Sequence, residues 1–423
     1  MKTFKIVTLG CRTNQYESQA YRDQLLKMGW TESNEDEQSS LCIVNTCTVT
    51  DAADQSSRQQ IKQLAKKNPE AKIYVTGCAA QKDPKGLKLL PQVEEVVSNL
   101  KKESLIGLIF QDEDVPEFKI ERFEAHTRAF IKVQDGCNSY CSYCIIPFVR
   151  GRSRSKTMES IIEEAKGLIA NGYKEIVLTG INIGDFDGAV GENEPKKRLS
   201  DLVYAIDRLE GLKRLRISSI DPDEVDDDLL DAVINGKNTC PSMHIVLQSG
   251  SNTVLKRMNR KYTKQQFYDA VNRLREKRKD FTFTTDIIVG FPGETQAEFE
   301  ETLEAMRSVK FAKVHMFPYS VRPGTKAARM PNHLEASIIS ERKEIVMRLS
   351  EQTAFELRND YVGQVMPVLL ESIDSTQTFI SGHTHNFLPV KIPKGNFRQN
   401  DLVNVKITAN LPDGLVGEVV SCE

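Results

Sequence analysis

The chain has 423 residues, 39% hydrophobic and 27% charged, with a formal net charge of −2. That balance suits a globular protein of two or three domains. It excludes a general electrostatic pull towards nucleic acid, so any RNA contact must come from a local patch. Apolar runs such as residues 73–75 and 287–289 are far too short to span a bilayer. The first seven residues alternate like a strand and lack the apolar core of a signal peptide, so the expected compartment is the cytoplasm, with no membrane partner. Disulfides are rare there, and nine cysteines, an odd number, suit metal or redox chemistry better than stapling.

Residues 1–110 alternate strand-like and helix-like pieces. Short runs rich in Ile, Val and Leu at 4–9, 41–45 and 73–76 are separated by helical stretches at 15–28 and 52–67. This βαβα order predicts a parallel sheet with flanking helices. The strands run into Leu9-Gly10-Cys11, Asn45-Thr46-Cys47 and Thr76-Gly77-Cys78. Ligands of open α/β sheets bind outside the carboxyl ends of the strands. Three strands thus deliver Cys11, Cys47 and Cys78 to one edge, as a candidate metal-cluster site. Cysteine is also a common core residue, and Cys42, inside a strand, reads that way. Cys240 and Cys422 are isolated and read as structural.

Residues 111–125 are polar, with Asp112, Glu113, Asp114 and Pro116, and read as a linker. A strand at 128–134 then feeds Asp135-Gly136-Cys137-Asn138-Ser139-Tyr140-Cys141-Ser142-Tyr143-Cys144. Three thiolates on one short loop can grip three corners of a cubane iron–sulfur cluster and leave one iron open to a small molecule. A structural zinc site closes its shell with four ligands, and no His or Cys follows at finger-like spacing. The next segment, Arg150-Gly151-Arg152-Ser153-Arg154-Ser155-Lys156, has four cations and no acid. Arg-rich peptide beside a catalytic mouth is a suitable phosphate grip. A second basic stretch spans residues 256–261.

Beyond the loop, helix-like and strand-like pieces alternate, with strands at 175–179, 214–217, 243–247, 282–289 and 313–317. Six strands over roughly 230 residues predict a partial β/α barrel, since a full eightfold barrel takes about 250. Barrel sites sit at the carboxyl ends of the strands. Those ends carry Thr179-Gly180, Ser218, Gln248 and the run Asp286-Ile287-Ile288-Val289-Gly290. A long helical stretch at 334–358 precedes five short strands, which predict a small β-barrel of the kind that often binds RNA. Residues 358–423 hold five Lys/Arg against seven Asp/Glu, so any RNA contact there would be a local face.

The Cys137-x3-Cys141-x2-Cys144 loop, with Tyr143 before the last cysteine, resembles the signature of radical S-adenosylmethionine (SAM) enzymes. The combination of both cysteine triads resembles the methylthiotransferase family, over nearly the whole chain. The resemblance implies an α/β multidomain protein. An α/β N-terminal domain over 1–112 carries an auxiliary cluster. A partial (β/α)6 radical SAM barrel spans 123–355, and a small β-barrel of the TRAM type spans 358–421. Leu9-Gly10-Cys11-Arg12-Thr13-Asn14-Gln15-Tyr16-Glu17-Ser18, Asn45-Thr46-Cys47-Thr48-Val49-Thr50 and the Arg150 segment resemble the members that act on N6-threonylcarbamoyladenosine just 3′ of the tRNA anticodon.

That resemblance implies two 4Fe-4S clusters, one on Cys137, Cys141 and Cys144 and one on Cys11, Cys47 and Cys78, with SAM chelated at the first. SAM cleavage would give a radical that abstracts hydrogen from C2 of the adenine, and the second cluster would deliver the sulfur. Tyr143, Thr179, Gly180, Ser218, Gln248, Asp286 and Gly290 are the expected SAM pocket. Arg150, Arg152 and Arg154 are the expected contacts to the anticodon loop. An external electron donor and sulfur source are implied. Two alternatives stay open: methylthiolation of an aspartate in a ribosomal protein, and a non-catalytic iron–sulfur protein that binds RNA or senses redox state.

Overall fold

The computed structural model describes residues 2–123, 127–191 and 194–422. The first unit is a five-stranded parallel sheet of β1 (Thr3–Thr8), β2 (Thr31–Glu32), β3 (Leu41–Thr46), β4 (Lys72–Gly77) and β5 (Val93–Val96), in the order β2-β1-β3-β4-β5. β3 is buried at every position, as expected of a central parallel strand covered on both faces. The edge strands β2 and β5 escape the sequence pattern because they are short, and β5 exposes Glu94 and Glu95.

The predicted linker is not free peptide. Phe118 packs on Tyr16 and Tyr21, and the Glu121 N–H donates to Asp23 Oδ2 at 2.7 Å. Its far end, at 124–126, lies outside the described residues.

The second unit contains β6 (Arg128–Lys132), the short β7 (Gln134–Asp135) and β8 (Arg154–Ser155), then β9 (Glu175–Thr179), β10 (Arg214–Ile217), β11 (Ser242–His244), β12 (Thr282–Val289) and β13 (Lys313–Pro318). β6, β9 and β10 form one parallel sheet and β11, β12 and β13 another. Bridges at Leu215–Thr239 and Ile220–Ile245 join them into one curved wall of six strands. Helices between the strands begin where side chains cap them. Thr157 accepts from the Ser160 N–H, and Thr263 and Thr295 form reciprocal capping boxes with Gln266 and Glu298. Such caps satisfy amides that a helix start leaves bare.

The third unit is a closed antiparallel-rich barrel of β14 (Val365–Ile373), β15 (Phe379–Thr384), β16 (Pro389–Pro393), β17 (Leu402–Leu411) and β18 (Gly414–Cys422). It docks on the amino ends of the large barrel's strands. Arg214 and Arg216 of β10 donate to the carbonyls of His383, Pro367, His385 and Thr384 at 2.8–3.0 Å. The carboxyl-end mouth is left to the first unit, whose helix Arg12–Lys27 puts Tyr16 and Ala20 into the barrel's own hydrophobic core.

Candidate functional site

Strands β1, β3 and β4 are adjacent and parallel, so their carboxyl ends lie side by side. Cys11 is the N-cap of the helix Arg12–Lys27, Cys47 follows β3, and Cys78 opens the helix Cys78–Lys82. Two glycines allow this convergence. Gly10 has φ +95°, and an added Cβ would meet Cys47 Sγ at 2.9 Å. Gly77 has φ +92°, and an added Cβ would meet the Thr46 carbonyl at 2.4 Å. Burial raises the Cys47 thiol and pushes Cys78 up to about 11. Cys42 lies in the core of the sheet, away from this edge.

The second triad lies on the loop between β7 and β8, whose antiparallel pairing clips its two ends together. Ser142 fastens the loop's middle. Its hydroxyl donates to the Arg257 carbonyl at 2.8 Å, and its own carbonyl accepts from the Ala327 N–H at 2.8 Å. The Ser139 N–H points at Cys137 Sγ and the Ile146 N–H at Cys144 Sγ, both at 3.4 Å. Arg260 donates to Cys141 Sγ at 3.1 Å and pairs with Asp221. Burial pushes Cys144 up to about 12.

Cys47 and Cys78 are buried, Cys11 is exposed and the three loop cysteines are half-buried, and in each triad a guanidinium reaches a sulfur, Arg150 to Cys11 at 3.9 Å and Arg260 to Cys141 at 3.1 Å. That suits thiolates of an iron–sulfur cluster, whose sulfurs are tuned by such hydrogen bonds. Among the described residues no three His, Cys, Asp or Glu side chains close around a single metal ion.

A buried ionic network joins the two loops. Lys102 Nζ lies 2.6 Å from both Glu17 Oε1 and Asp135 Oδ2. Arg150 lies 2.8 Å from Asp135 and 3.3 Å from Glu17, and it reaches Cys11 Sγ at 3.9 Å. Burial alone would raise Glu17, but Lys102, Arg150 and Lys132 outweigh it and hold the carboxyl at about 2. The expected RNA contact at Arg150 is corrected here. Its side chain is fully buried and committed to carboxylates, so it cannot face a phosphate from solution. Arg154 is partly exposed but pairs with Asp135 at 2.8 Å. Arg152 is exposed, and its guanidinium lies over Tyr140 at 5.2 Å. In the second basic stretch, Arg257 and Arg260 are likewise held by Glu298 and Asp221.

Between the triads lies a cavity of about 190 Å³. Tyr143, Gln248 and Asp286 line it from the barrel, Val49 and Thr50 from the loop after Cys47, Phe317 from β13, and Tyr319 and Arg322 from just beyond it. Gln248 Oε1 and the Tyr319 hydroxyl are buried without hydrogen-bond partners among the described residues. Orphaned polar atoms facing a cavity suit a polar ligand. Thr179 and Gly180 lie to one side, beside Gln134, whose Oε1 accepts from the Ile181 and Asn182 N–H groups. Ser218 Oγ is buried and unpaired but off this wall. Gly290 faces away, since an added Cβ would meet Ile339 at 2.5 Å. Arg322 was not legible in the sequence, where it is one arginine before a Pro-Gly turn. In the fold it donates to the Thr48 carbonyl at 2.6 Å and pairs with Asp51 and Asp54.

Residues 131–306 match the family model described as Radical SAM superfamily, and residues 3–98 match Uncharacterized protein family UPF0004. A Chlamydia pneumoniae protein named threonylcarbamoyladenosine tRNA methylthiotransferase MtaB is 46% identical over 422 residues, 99% of this chain and 98% of that one. A Bacillus subtilis (strain 168) protein of the same name is 37% identical over 427 residues, 96% of this chain and 94% of that one. Among solved structures, the radical S-adenosylmethionine methyltransferase TsrM from Kitasatospora setae, with cobalamin and a 4Fe-4S cluster bound, superposes with a TM-score of 0.55. That match covers 77% of each chain at 13% identity and speaks for the fold alone. With relatives aligned end to end at these identities, the chain belongs to the radical SAM methylthiotransferase family.

Proposed function

We propose that this enzyme adds a methylthio group to C2 of N6-threonylcarbamoyladenosine just 3′ of the anticodon in tRNA, working in the cytoplasm. The observation that carries the reading is the cavity walled on one side by the Cys137–Cys144 loop and on the other by the peptide after Cys47. Clusters on the two triads, with SAM, supply the radical and the sulfur when bound. Cys137, Cys141 and Cys144 would hold one cluster, and Cys11, Cys47 and Cys78 the other.

The chain's own groups do the positioning. Gln248 Oε1 and Asp286 offer acceptors for the ammonium and ribose hydroxyls of SAM, and Tyr143 packs along the same wall. Arg322 is buried at the junction of the two units and fixes the peptide that brings Val49 and Thr50 to the cavity wall. Outside the mouth, Tyr140 and Phe148 meet edge to face at 6.3 Å, 39% and 63% exposed, with Arg152 over Tyr140. Exposed rings beside a guanidinium suit unstacked bases of a single-stranded loop. An anticodon loop gives up a base more readily than a duplex does. Electrons and replacement sulfur come from external partners.

Nucleoside mass spectrometry of tRNA from a deletion strain tests the reading. The 2-methylthio derivative of threonylcarbamoyladenosine disappears and returns on complementation. Its undiminished presence, in a strain with no second such enzyme, would sink the proposal. The acidic balance of residues 358–423 favours one competitor, a ribosomal protein aspartate. A mass shift of ribosomal protein S12 in the same strain would point to it.

A further inference from the structure

The barrel lumen contains positive charge that radical and sulfur chemistry leave unused. β6 and β13 end the two sheets, and among the described residues no pairing joins them, so the lumen opens along this seam. The helix Arg12–Lys27 begins there. The Arg12 guanidinium lies 5.5 Å from the ring centroid of Phe130 on β6. Lys313, His315 and Phe317 form one exposed row on β13, while Val314 and Met316 turn the other way, onto the core. A strand alternates its faces, so the exposed row faces the lumen. The His315 ring lies 5.7 Å from that of His244 on β11, which sets it in the lumen; the enclosing protein and then His244 hold it below its ordinary value against Asp286, with Lys313 and Arg12 adding to the effect. The two cations and the imidazole therefore lie along the same seam, Arg12 on the β6 side and Lys313 and His315 on the β13 side.

The other lumen charges have partners, three arginines sharing two carboxylates, and Asp286 faces both His244 and His315. Arg128 lies 3.3 Å from Glu371, Arg214 and Arg216 lie 3.6 and 2.7 Å from Glu175, and Asp286 lies 3.4 Å from His244. Arg12 and Lys313 have no carboxylate within ion-pair distance among the described residues. Arg12 is also accessible although protein surrounds it, as a group lining an open concavity should be.

We propose that Arg12 and Lys313, together with His315, form an anion site in the seam that binds the carboxylate on the N6 substituent of the substrate base. The inference rests on the tRNA reading above and names what selects the modified base. A threonylcarbamoyl group ends in an amino-acid carboxylate, and a guanidinium grips a carboxylate through paired, charge-assisted hydrogen bonds. An uncharged substituent would leave both cations unpaired.

The test uses the reconstituted enzyme with iron at both triads and two anticodon stem–loop RNAs. One carries threonylcarbamoyladenosine and the other its carboxylate methyl ester, and binding is read by fluorescence anisotropy at fixed salt. The unaltered enzyme binds the free acid about tenfold more tightly than the ester. Arg12→Gln and Lys313→Gln each bring the ratio towards one, mainly by weakening the acid. Equal affinity of the unaltered enzyme for both RNAs overturns the site, and so does an undiminished preference in the variants. Arg12 adjoins Cys11, so iron is measured in parallel. If Arg12→Gln loses iron, Lys313→Gln, on the far side of the seam, decides by the same ratio. Failure of the tRNA reading looks different, because neither RNA is then methylthiolated. Methylthiolation of both RNAs with equal affinity overturns the anion site alone.

Discussion

Arg150 Nη1 lies 2.8 Å from Asp135 Oδ1, and this ion pair closes the base of the loop that carries Cys137, Cys141 and Cys144. Asp135 stands two residues before Cys137. Arg150 also reaches Glu17 and Cys11 on the first unit. Three cations, Lys102, Lys132 and Arg150, face two fully buried carboxylates, Glu17 and Asp135. Glu103, 2.7 Å from Lys132, balances the third cation.

Arg150 and Arg152 therefore separate two roles that one basic run had merged. Arg150→Met leaves Glu17 and Asp135 short of a partner in a dry site and should destabilise the fold by about 3–5 kcal/mol. Arg152→Ala should change stability by no more than about 0.5 kcal/mol, while lowering the salt dependence of tRNA binding by about one phosphate contact. Urea denaturation and salt-dependent binding titrations check the pair. Equal stability losses in the two variants would refute the division.

Each triad should lose its iron independently. Cys141→Ala and Cys47→Ala should each lower iron from about eight to about four atoms per chain. In Cys141→Ala, SAM cleavage stops; in Cys47→Ala, 5′-deoxyadenosine still forms without a methylthio product. Iron analysis and product chromatography read both outcomes. A variant that keeps all its iron would remove its triad from the assignment.

Arg322 clamps the peptide after Cys47 to the barrel, through the Thr48 carbonyl and Asp54, both within 2.7 Å. Arg322→Met should cost about 3 kcal/mol of stability. It should also raise the ratio of 5′-deoxyadenosine to methylthiolated product, because the two sites lose their fixed separation. An unchanged ratio would show that the clamp does not couple them.

Glu224 is a half-buried acid whose shift runs opposite to that of Glu17. Burial, and then the charge of Asp221, push it from its ordinary value of 4.5 up to about 8, against the hydrogen bond from Asn182. Between those values the folded chain keeps a proton that the unfolded chain has released, so stability falls as pH rises through that window. Glu224→Gln keeps the shape and an acceptor for Asn182 but removes the titration. Its melting temperature should decline less than that of the unaltered protein from about pH 5 to about pH 8, with the gap widening as pH rises. Parallel curves would mean that Glu224 carries no such proton.

Much of this protein was legible in sequence because it is local. Alternation and length marked the three central N-terminal strands, the six barrel strands and the five strands of the last unit. In the structure Thr50, Thr157, Thr263 and Thr295 cap helix starts through bonds spanning three residues, which are local as well. The cysteines were legible through their spacing on one loop and their shared position at strand ends. Tertiary structure alone decided which charges are buried. Arg150 reads as a surface cation until Glu17, 133 positions away, closes on it. Arg322 reads as a turn residue until Asp51, 271 positions away, meets it. Gly290 reads as part of a ligand-binding strand end until Ile339 fills the space beside it. Composition and periodicity report only neighbours along the chain. Desolvation, which turns an ordinary arginine into the bolt between two cysteine triads, depends on neighbours that only the folded packing brings together.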